Sequence, residues 1–193
     1  AGEITCDNCS AGTRQRDDGQ AYCADCTAGF YSAAPGSTAC EECAAGQMQA
    51  QNAQTGCSVC SVGKFAKASA QTYCGLCPAG FYNSLNASGF CNGCPAGRYG
   101  RNVGQSTLEE GCTVCGSGQF QDVQGQTSCT ACVVGKYLQD DGAQQASHTS
   151  ITNCLLCALG QFQSSSAGAA RCQHCDAGKY LSGTSADHFD NSN

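Results

Sequence analysis

The sequence predicts a small disulfide-rich fold, all-β or irregular, arranged as an elongated tandem-repeat rod of about ten 17-residue meanders. Leu, Ile, Val and Phe number 8, 2, 7 and 7, or 24 of 193 residues, which is too few for a large hydrophobic core. The 20 cysteines exceed one residue in ten, as in disulfide scaffolds. They form ten Cys-x-x-Cys pairs, mostly 17 residues apart, and a fixed period indicates a repeat architecture. We expect no helices of note and one continuous array over residues 1–193.

Each repeat carries the same three markers after the second cysteine of its pair. Gly follows three residues later in all ten repeats, an aromatic five residues later in eight, and Gly or Ala ten residues later in nine. The Gly predicts a turn, and the second Gly or Ala predicts the return turn. We expect the aromatic to pack on a disulfide as a one-residue core, within a meander of two or three strands of three to five residues. The aromatics are Tyr31, Phe65, Tyr82, Tyr99, Phe120, Tyr137, Phe162 and Tyr180, with Arg14 and Met48 as exceptions.

A longer period of about 34 residues appears when the loops between pairs are numbered from Cys9. Odd loops have 13 or 14 residues, whereas even loops lengthen to 17 and 21, with insertions at 105–111 and 143–153. Four of five even loops also have a cation beside the aromatic, which predicts a lateral contact row of Lys64, Arg98, Lys136 and Lys179. The predicted two-meander units are 6–39, 40–73, 74–111, 112–153 and 154–193, the last meander being open-ended.

Three cysteine chemistries fit a Cys-x-x-Cys pair. Zinc sites have similar spacing, but thiolate clusters usually have nearby cations, and this chain is acidic. Redox catalysis needs a thiolate with a lowered pKa, usually at a helix start, and no helix is predicted. We favour structural disulfides, because an even cysteine count in a turn-rich, core-poor chain is typical of an oxidising compartment.

Two disulfide connectivities are open. A nested scheme joins neighbouring pairs in parallel, as in Cys6–Cys23 with Cys9–Cys26. A chain of bows closes each loop on itself, which explains why every loop repeats the motif, and each closure of about 13 residues contributes roughly 3 kcal/mol in the chain-entropy model. We favour the bows: Cys9–Cys23, Cys26–Cys40, Cys43–Cys57, Cys60–Cys74, Cys77–Cys91, Cys94–Cys112, Cys115–Cys129, Cys132–Cys154 and Cys157–Cys172. Cys6 and Cys175 are then left for intermolecular bonds, or the array continues beyond these residues.

The motif Cys-x-x-Cys-x-x-Gly-x-Tyr/Phe, as in "CGLCPAGFY" (74–82) and "CNGCPAGRY" (91–99), resembles the ephrin-receptor-like cysteine-rich repeat. It is also similar to the single-disulfide module of tumour-necrosis-factor receptors. The resemblance extends from Cys6 to Tyr180. It implies an extracellular, elongated, non-enzymatic array of the kind used in receptors, adhesion proteins and surface coats.

Other features of the sequence limit the functional classes. A net charge of −6 with scattered cations argues against nucleic-acid binding, and no apolar run is long enough to span a membrane. No catalytic, cofactor-binding or metal-ligating grouping is evident. The sequons at Asn86 and Asn8 predict N-glycosylation of a secreted chain.

Two functions fit these observations. The first is an extracellular structural protein, a disulfide-stapled strut or self-assembling subunit of a cell-surface fibre or coat. Its partners would be other copies of the chain, joined head to tail or laterally. The alternative is a ligand-binding or adhesion ectodomain that uses the two insertions as a contact patch for other extracellular proteins.

Overall fold

The computed structural model of the chain describes residues 5–139, 142–165 and 167–181. The end of the predicted open-ended meander, including Ser185 at its second-turn position, lies outside the described residues.

Each of the nine disulfide-closed repeats contributes one antiparallel hairpin with two-residue strands. Its first strand is the motif position that is aromatic in most repeats together with the residue before it, and its second strand is the spacer of the next Cys-x-x-Cys. Strand β1 thus pairs with β2 in the register Thr13↔Asp25 and Arg14↔Ala24. The strands are β1 Thr13–Arg14, β2 Ala24–Asp25, β3 Phe30–Tyr31, β4 Glu41–Glu42, β5 Gln47–Met48, β6 Ser58–Val59, β7 Lys64–Phe65, β8 Gly75–Leu76, β9 Phe81–Tyr82, β10 Asn92–Gly93, β11 Arg98–Tyr99, β12 Thr113–Val114, β13 Gln119–Phe120, β14 Thr130–Ala131, β15 Lys136–Tyr137, β16 Leu155–Leu156, β17 Gln161–Phe162 and β18 Gln173–His174.

These 18 strands form nine two-stranded sheets, each strand pairing with its neighbour in sequence. The small, disulfide-rich all-β class predicted from the sequence is therefore confirmed. The expected strand length of three to five residues is wrong, because the backbone beyond each aromatic bonds to the next repeat instead of extending the hairpin. Helical turns occur in the insertions: α1 spans Leu108–Gly111, and two 3₁₀ helices span Gln145–His148 and Ile151–Asn153.

Neighbouring repeats are joined by a recurring set of backbone hydrogen bonds. In loop 3, the amide of Gly46 donates to the carbonyl of Ala66 at 2.8 Å, and the amide of Gln49 donates to Gln71 at 3.0 Å. In return, Cys60 donates to Gly46 at 2.9 Å, and Ala70 donates to Cys43 at 2.8 Å. Equivalent bonds recur along the array, so backbone groups that would be unpaired in an isolated loop are satisfied by the next one.

In the first seven repeats the motif glycine is required by a backbone contact two repeats further along. All ten motif glycines have positive φ, from 74° to 88°, as the predicted turn demands. A Cβ on Gly46 would lie 1.9 Å from the carbonyl oxygen of Ala87, and one on Gly63 would lie 2.3 Å from that of Gly104. Alternate loops therefore pack backbone against backbone. In loops 1 to 8 the second-turn residues also adopt positive φ, including the alanines Ala53, Ala70 and Ala87.

The buried interior differs from the one-residue aromatic core that we expected. Phe120, 6 % exposed, is the one motif aromatic buried among the described residues, and Tyr180 is 73 % exposed. The interior consists mainly of the second cysteines, together with the residue that follows the aromatic. That residue is buried in seven repeats, at Ser32, Ala66, Asn83, Gly100, Gln121, Leu138 and Gln163. The aromatic lies on the hairpin with one face open, and its neighbour points inward because side chains alternate along a strand.

Nine disulfides replace the missing core. Each joins the second cysteine of one pair to the first of the next, from Cys9–Cys23 to Cys157–Cys172, with Cα–Cα distances of 5.5–5.8 Å. This is the pairing of the bow scheme. Cys6 and Cys175 carry free thiols. The zinc alternative requires four thiolates per site, whereas these eighteen sulfurs are bonded to one another.

The chain forms two compact units. One consists of the residues up to Cys77 together with Asn83–Cys91 and Gly104–Ser106; the other consists of Pro78–Tyr82, Asn92–Val103 and the residues from Thr107 onward. The same hydrogen-bonded and disulfide-closed loops occur in each unit. Among the described residues, no helix has the length and apolarity needed to cross a membrane.

Candidate functional site

The two insertions meet around Arg98, and together these residues form what we call the insertion cluster (Arg98, 107–111 and 143–153). Arg98 Nη1 donates to the carbonyl of Cys112 at 2.8 Å, directly after the first insertion. Its Nε donates to Gln145 Oε1, in the second insertion, at 3.0 Å. Gln145 Nε2 in turn donates to the carbonyl of Ala96 at 2.8 Å. One guanidinium therefore fixes both insertions, which a lysine could not do with the same planar geometry.

The first insertion forms a short capped helix. Thr107 is the N-cap of α1, and its hydroxyl accepts from the amide of Glu110 at 3.2 Å. The amide of Gly111 donates to the carbonyl of Thr107 at 3.0 Å, and Gly111 is buried. Its buried C-terminal end is followed directly by Cys112, so α1 is anchored by the Cys94–Cys112 disulfide.

The second insertion is seated by a buried histidine. His148 is fully buried, and its Nδ1 lies 2.7 Å from the carbonyl oxygen of Gln119. Because a carbonyl can only accept, Nδ1 carries the proton. The amide of Gln121 donates to the carbonyl of His148 at 2.8 Å. In the other loops the equivalent hydrogen bond is accepted by a residue at the second turn. The second insertion is therefore held at a position that the other repeats also contain.

Beyond this seat, the second insertion and the following hairpin expose apolar side chains. Ile151 is 44 % exposed in the second 3₁₀ helix, and Leu155 and Leu156 in β16 are 53 % and 54 % exposed. Ser150 begins that 3₁₀ helix: its hydroxyl accepts from the amide of Thr152 at 3.2 Å. These three side chains, like other exposed apolar side chains along the chain, are available for contact with another protein.

The predicted cation row does not have one uniform environment. Arg98 is bound within the insertion cluster, and Lys179 pairs with Asp176 at 3.7 Å. Lys64 is exposed and Lys136 is half-buried. A lateral contact made by these four residues stays a prediction, as do intermolecular bonds from Cys6 and Cys175. The predicted glycan acceptors Asn86 and Asn8 are both exposed.

One tyrosine has a perturbed acidity. The hydroxyl of Tyr31 donates to Glu41 Oε2 at 2.6 Å, across the hairpin of β3 and β4. This hydrogen bond, together with the negative charge of Glu41, raises the pKa of Tyr31 above its usual value. This hydrogen bond links the two strands on the exposed face of the hairpin.

Comparison with known proteins identifies the repeats in the central part of the chain. The family model described as tyrosine-protein kinase ephrin type A/B receptor-like matches residues 63–110 and, in a second overlapping copy, residues 104–148. No curated protein matches the chain. The family is a receptor-ectodomain type of repeat, and with nine disulfides in tandem it is typical of extracellular or cell-surface domains. Residues 63–148 therefore consist of ephrin-receptor-like cysteine-rich repeats, as the motif predicted.

Proposed function

We propose that this chain is a non-enzymatic, secreted or cell-surface ectodomain that binds an extracellular protein through its insertion cluster. The observation that carries the proposal is that the family matches overlap the insertion cluster. The receptor-like matches end at residue 148, and they contain the first insertion, Arg98 and the start of the second insertion. A receptor-like repeat supports the ectodomain better than the fibre or coat subunit that motif uniformity alone favoured.

The geometry of the cluster supports a binding role. Arg98 and His148 hold the insertions in place before any partner arrives, so little conformational entropy is lost on binding. The exposed side chains of Ile151, Leu155 and Leu156 supply apolar contact area. A partner with a matching apolar surface would therefore gain affinity mainly from these residues.

The test is saturable binding of the oxidised, fluorescently labelled chain to intact cells and to a panel of purified extracellular proteins. Ile151→Asp should abolish saturable binding, whereas Val123→Asp, at a residue 54 % exposed in the unlengthened loop 7, should leave it unchanged. Arg98→Met should weaken binding by loosening both insertions. Its matched control is Arg101→Met, because the guanidinium of Arg101 stacks on the Tyr99 ring at 5.1 Å.

Electron microscopy of the same material distinguishes the two functions. An ectodomain should appear as isolated particles at the concentrations used for binding. Filaments that form without any saturable ligand would contradict the proposal and support the fibre or coat subunit. Equal binding by the Ile151→Asp and Val123→Asp variants would show that the insertion cluster is not the contact surface.

A further inference from the structure

Loop 1, which lies outside the insertion cluster, departs from the motif at its aromatic position. Arg14 occupies the position at which eight repeats have Tyr or Phe, and Arg16 follows two residues later. Two of the nine cations of an acidic chain are therefore concentrated in one short segment. The motif aromatics other than Phe120 are half-buried or exposed, so this exchange changes the surface chemistry without removing a fully buried side chain.

The two arginines line a groove between loops 1 and 2. The groove has a volume of about 750 Å³ and is bordered by Arg14, Arg16, Asp25, Thr27, Phe30 and Thr38. Pairing of β1 with β2 fixes the backbone of Arg14, and the amide of Gln15 donates to the carbonyl of Ser37 at 3.1 Å. The segment that carries both arginines is thus attached on one side to β2 and on the other to the end of loop 2.

The charges of the groove are not neutralised internally. Arg14 is half-buried and Arg16 is exposed, and within the described ranges neither guanidinium has a carboxylate at ion-pair distance. Asp25 is the one acidic residue that lines the groove. The side chains that line the groove, two cations and one anion, carry a net charge of +1; Asp17 and Asp18, which follow Arg16 in the sequence, are not among them. This excess favours a ligand group with a single negative charge.

The remaining lining residues define the ligand further. A guanidinium binds a carboxylate through two parallel N–H···O hydrogen bonds. The half-buried ring of Phe30 offers an apolar face beside the cations, and Thr27 and Thr38 offer hydroxyl groups. The volume is that of a site for a few side chains. A polyanionic glycan would need a row of cations and would be repelled by Asp25.

We propose that this groove binds an acidic peptide segment of a partner protein, with one carboxylate at Arg14 and Arg16 and an adjacent apolar side chain against Phe30. The groove belongs to loops 1 and 2 and shares no residue with the insertion cluster. The inference therefore goes beyond the function proposed above, and it can fail or hold separately.

The experiment is an NMR titration of the oxidised, ¹⁵N-labelled full chain with a capped Gly-Glu-Leu-Gly peptide. The amide signals of residues 14–16, 27–30 and 37–39 should shift. The Gln analogue of the peptide, which has the same shape without the charge, should bind more weakly. Each exposed guanidinium–carboxylate contact is worth a few-fold in affinity, so Arg14→Ala with Arg16→Ala should weaken binding about tenfold.

Two further variants keep the result interpretable. Arg14→Tyr restores the residue of the other repeats, so it should fold normally and still lose affinity for the Glu peptide. Arg171→Ala removes an exposed cation outside the groove and should bind like the parent chain. The Ile151→Asp variant should also bind the peptide normally, because it alters only the insertion cluster.

Three outcomes would overturn the inference: absence of shifts at the groove with the Glu peptide, equal affinity for the Gln peptide, or unchanged affinity in the double arginine variant. A heparin-derived tetrasaccharide serves as the comparison ligand. If it binds the groove more tightly than the peptide does, the assignment to an acidic peptide is wrong.

Discussion

The motif glycine gives the sharpest prediction about stability, and Gly46→Ala tests it. Gly46 has φ of +83°, and an added Cβ would lie 1.9 Å from the carbonyl oxygen of Ala87, two loops further along. Gly160 is the matched control, because it occupies the same motif position with φ of +78° and no atom of the described residues lies within 4 Å of its Cβ position. Comparing the two variants separates the energetic cost of backbone strain from the cost of the inter-loop contact.

The expected cost follows from three contributions. A left-handed conformation costs a non-glycine residue about 1–2 kcal/mol, and this applies to both variants. In Gly46→Ala the Ala87 carbonyl must also move by more than an ångström, with an overpacking cost of about 1–3 kcal/mol. That movement strains the bond from the Ala87 amide to the Cys60 carbonyl, worth about 1 kcal/mol. The totals are about 3–6 kcal/mol for Gly46→Ala and about 1–2 kcal/mol for Gly160→Ala.

Hydrogen exchange of the oxidised protein measures this difference locally. The amides of residue 46 and Ala87 should exchange at least about 150-fold faster in Gly46→Ala than in the parent chain, because roughly 3 kcal/mol, the low end of the expected cost, corresponds to that factor. Thermal unfolding under non-reducing conditions gives the global effect. If Gly46→Ala is no more destabilising than Gly160→Ala, the glycine is explained by φ alone and the backbone contact between alternate loops carries no energy.

Three other predictions can be tested with purified protein. Non-reducing peptide mapping should yield nine bow-type disulfides; a peptide joining Cys6 to another cysteine of the same chain would contradict them. Glu41→Gln should lower the pKa of Tyr31 in a spectrophotometric titration, and in the parent the pair's contribution to stability should be lost as the pH rises through the raised pKa. Gln121→Met should cost about 2 kcal/mol, measured against the exposed control Gln126→Met by hydrogen exchange, because it unpairs two backbone groups.

The cysteine and glycine positions were predictable from the sequence, because each has one dominant physical cause. Ten Cys-x-x-Cys pairs, mostly 17 residues apart, in a chain with 24 large aliphatic or Phe residues leave covalent closure as the main source of order. The positive φ of the motif glycine also followed from its presence in every repeat. Its close contact with the Ala or Gly of the loop after next did not, because a regular spacing does not show which repeats are adjacent in space.

The buried position after the aromatic was missed because its chemistry changes from repeat to repeat. Odd loops have an amide there and even loops a small or apolar residue: Gln15, Gln49, Asn83, Gln121 and Gln163 against Ser32, Ala66, Gly100 and Leu138. In loop 7, Gln121 Nε2 donates to the carbonyl of Ser128 at 2.8 Å, and the amide of Val123 donates to Gln121 Oε1 at 3.0 Å. This alternation was a detectable signal of the 34-residue period, but a search for apolar residues would pass over it.

The contacts between loops explain why both insertions lie in the same segment of the repeat. One stretch of each repeat bonds or packs against a neighbouring loop: it runs from the second cysteine through the glycine and the two strand residues to the buried residue after them. Lengthening the chain within this stretch would break several contacts at once. The segment between the second turn and the closing cysteine is less constrained. Both insertions lie there, and the longer one restores the lost contacts through Gln145 and His148. Variation in loop length is therefore confined to this segment by the packing of the repeat, and a test of the proposed insertion-cluster surface should begin at the exposed residues that follow His148.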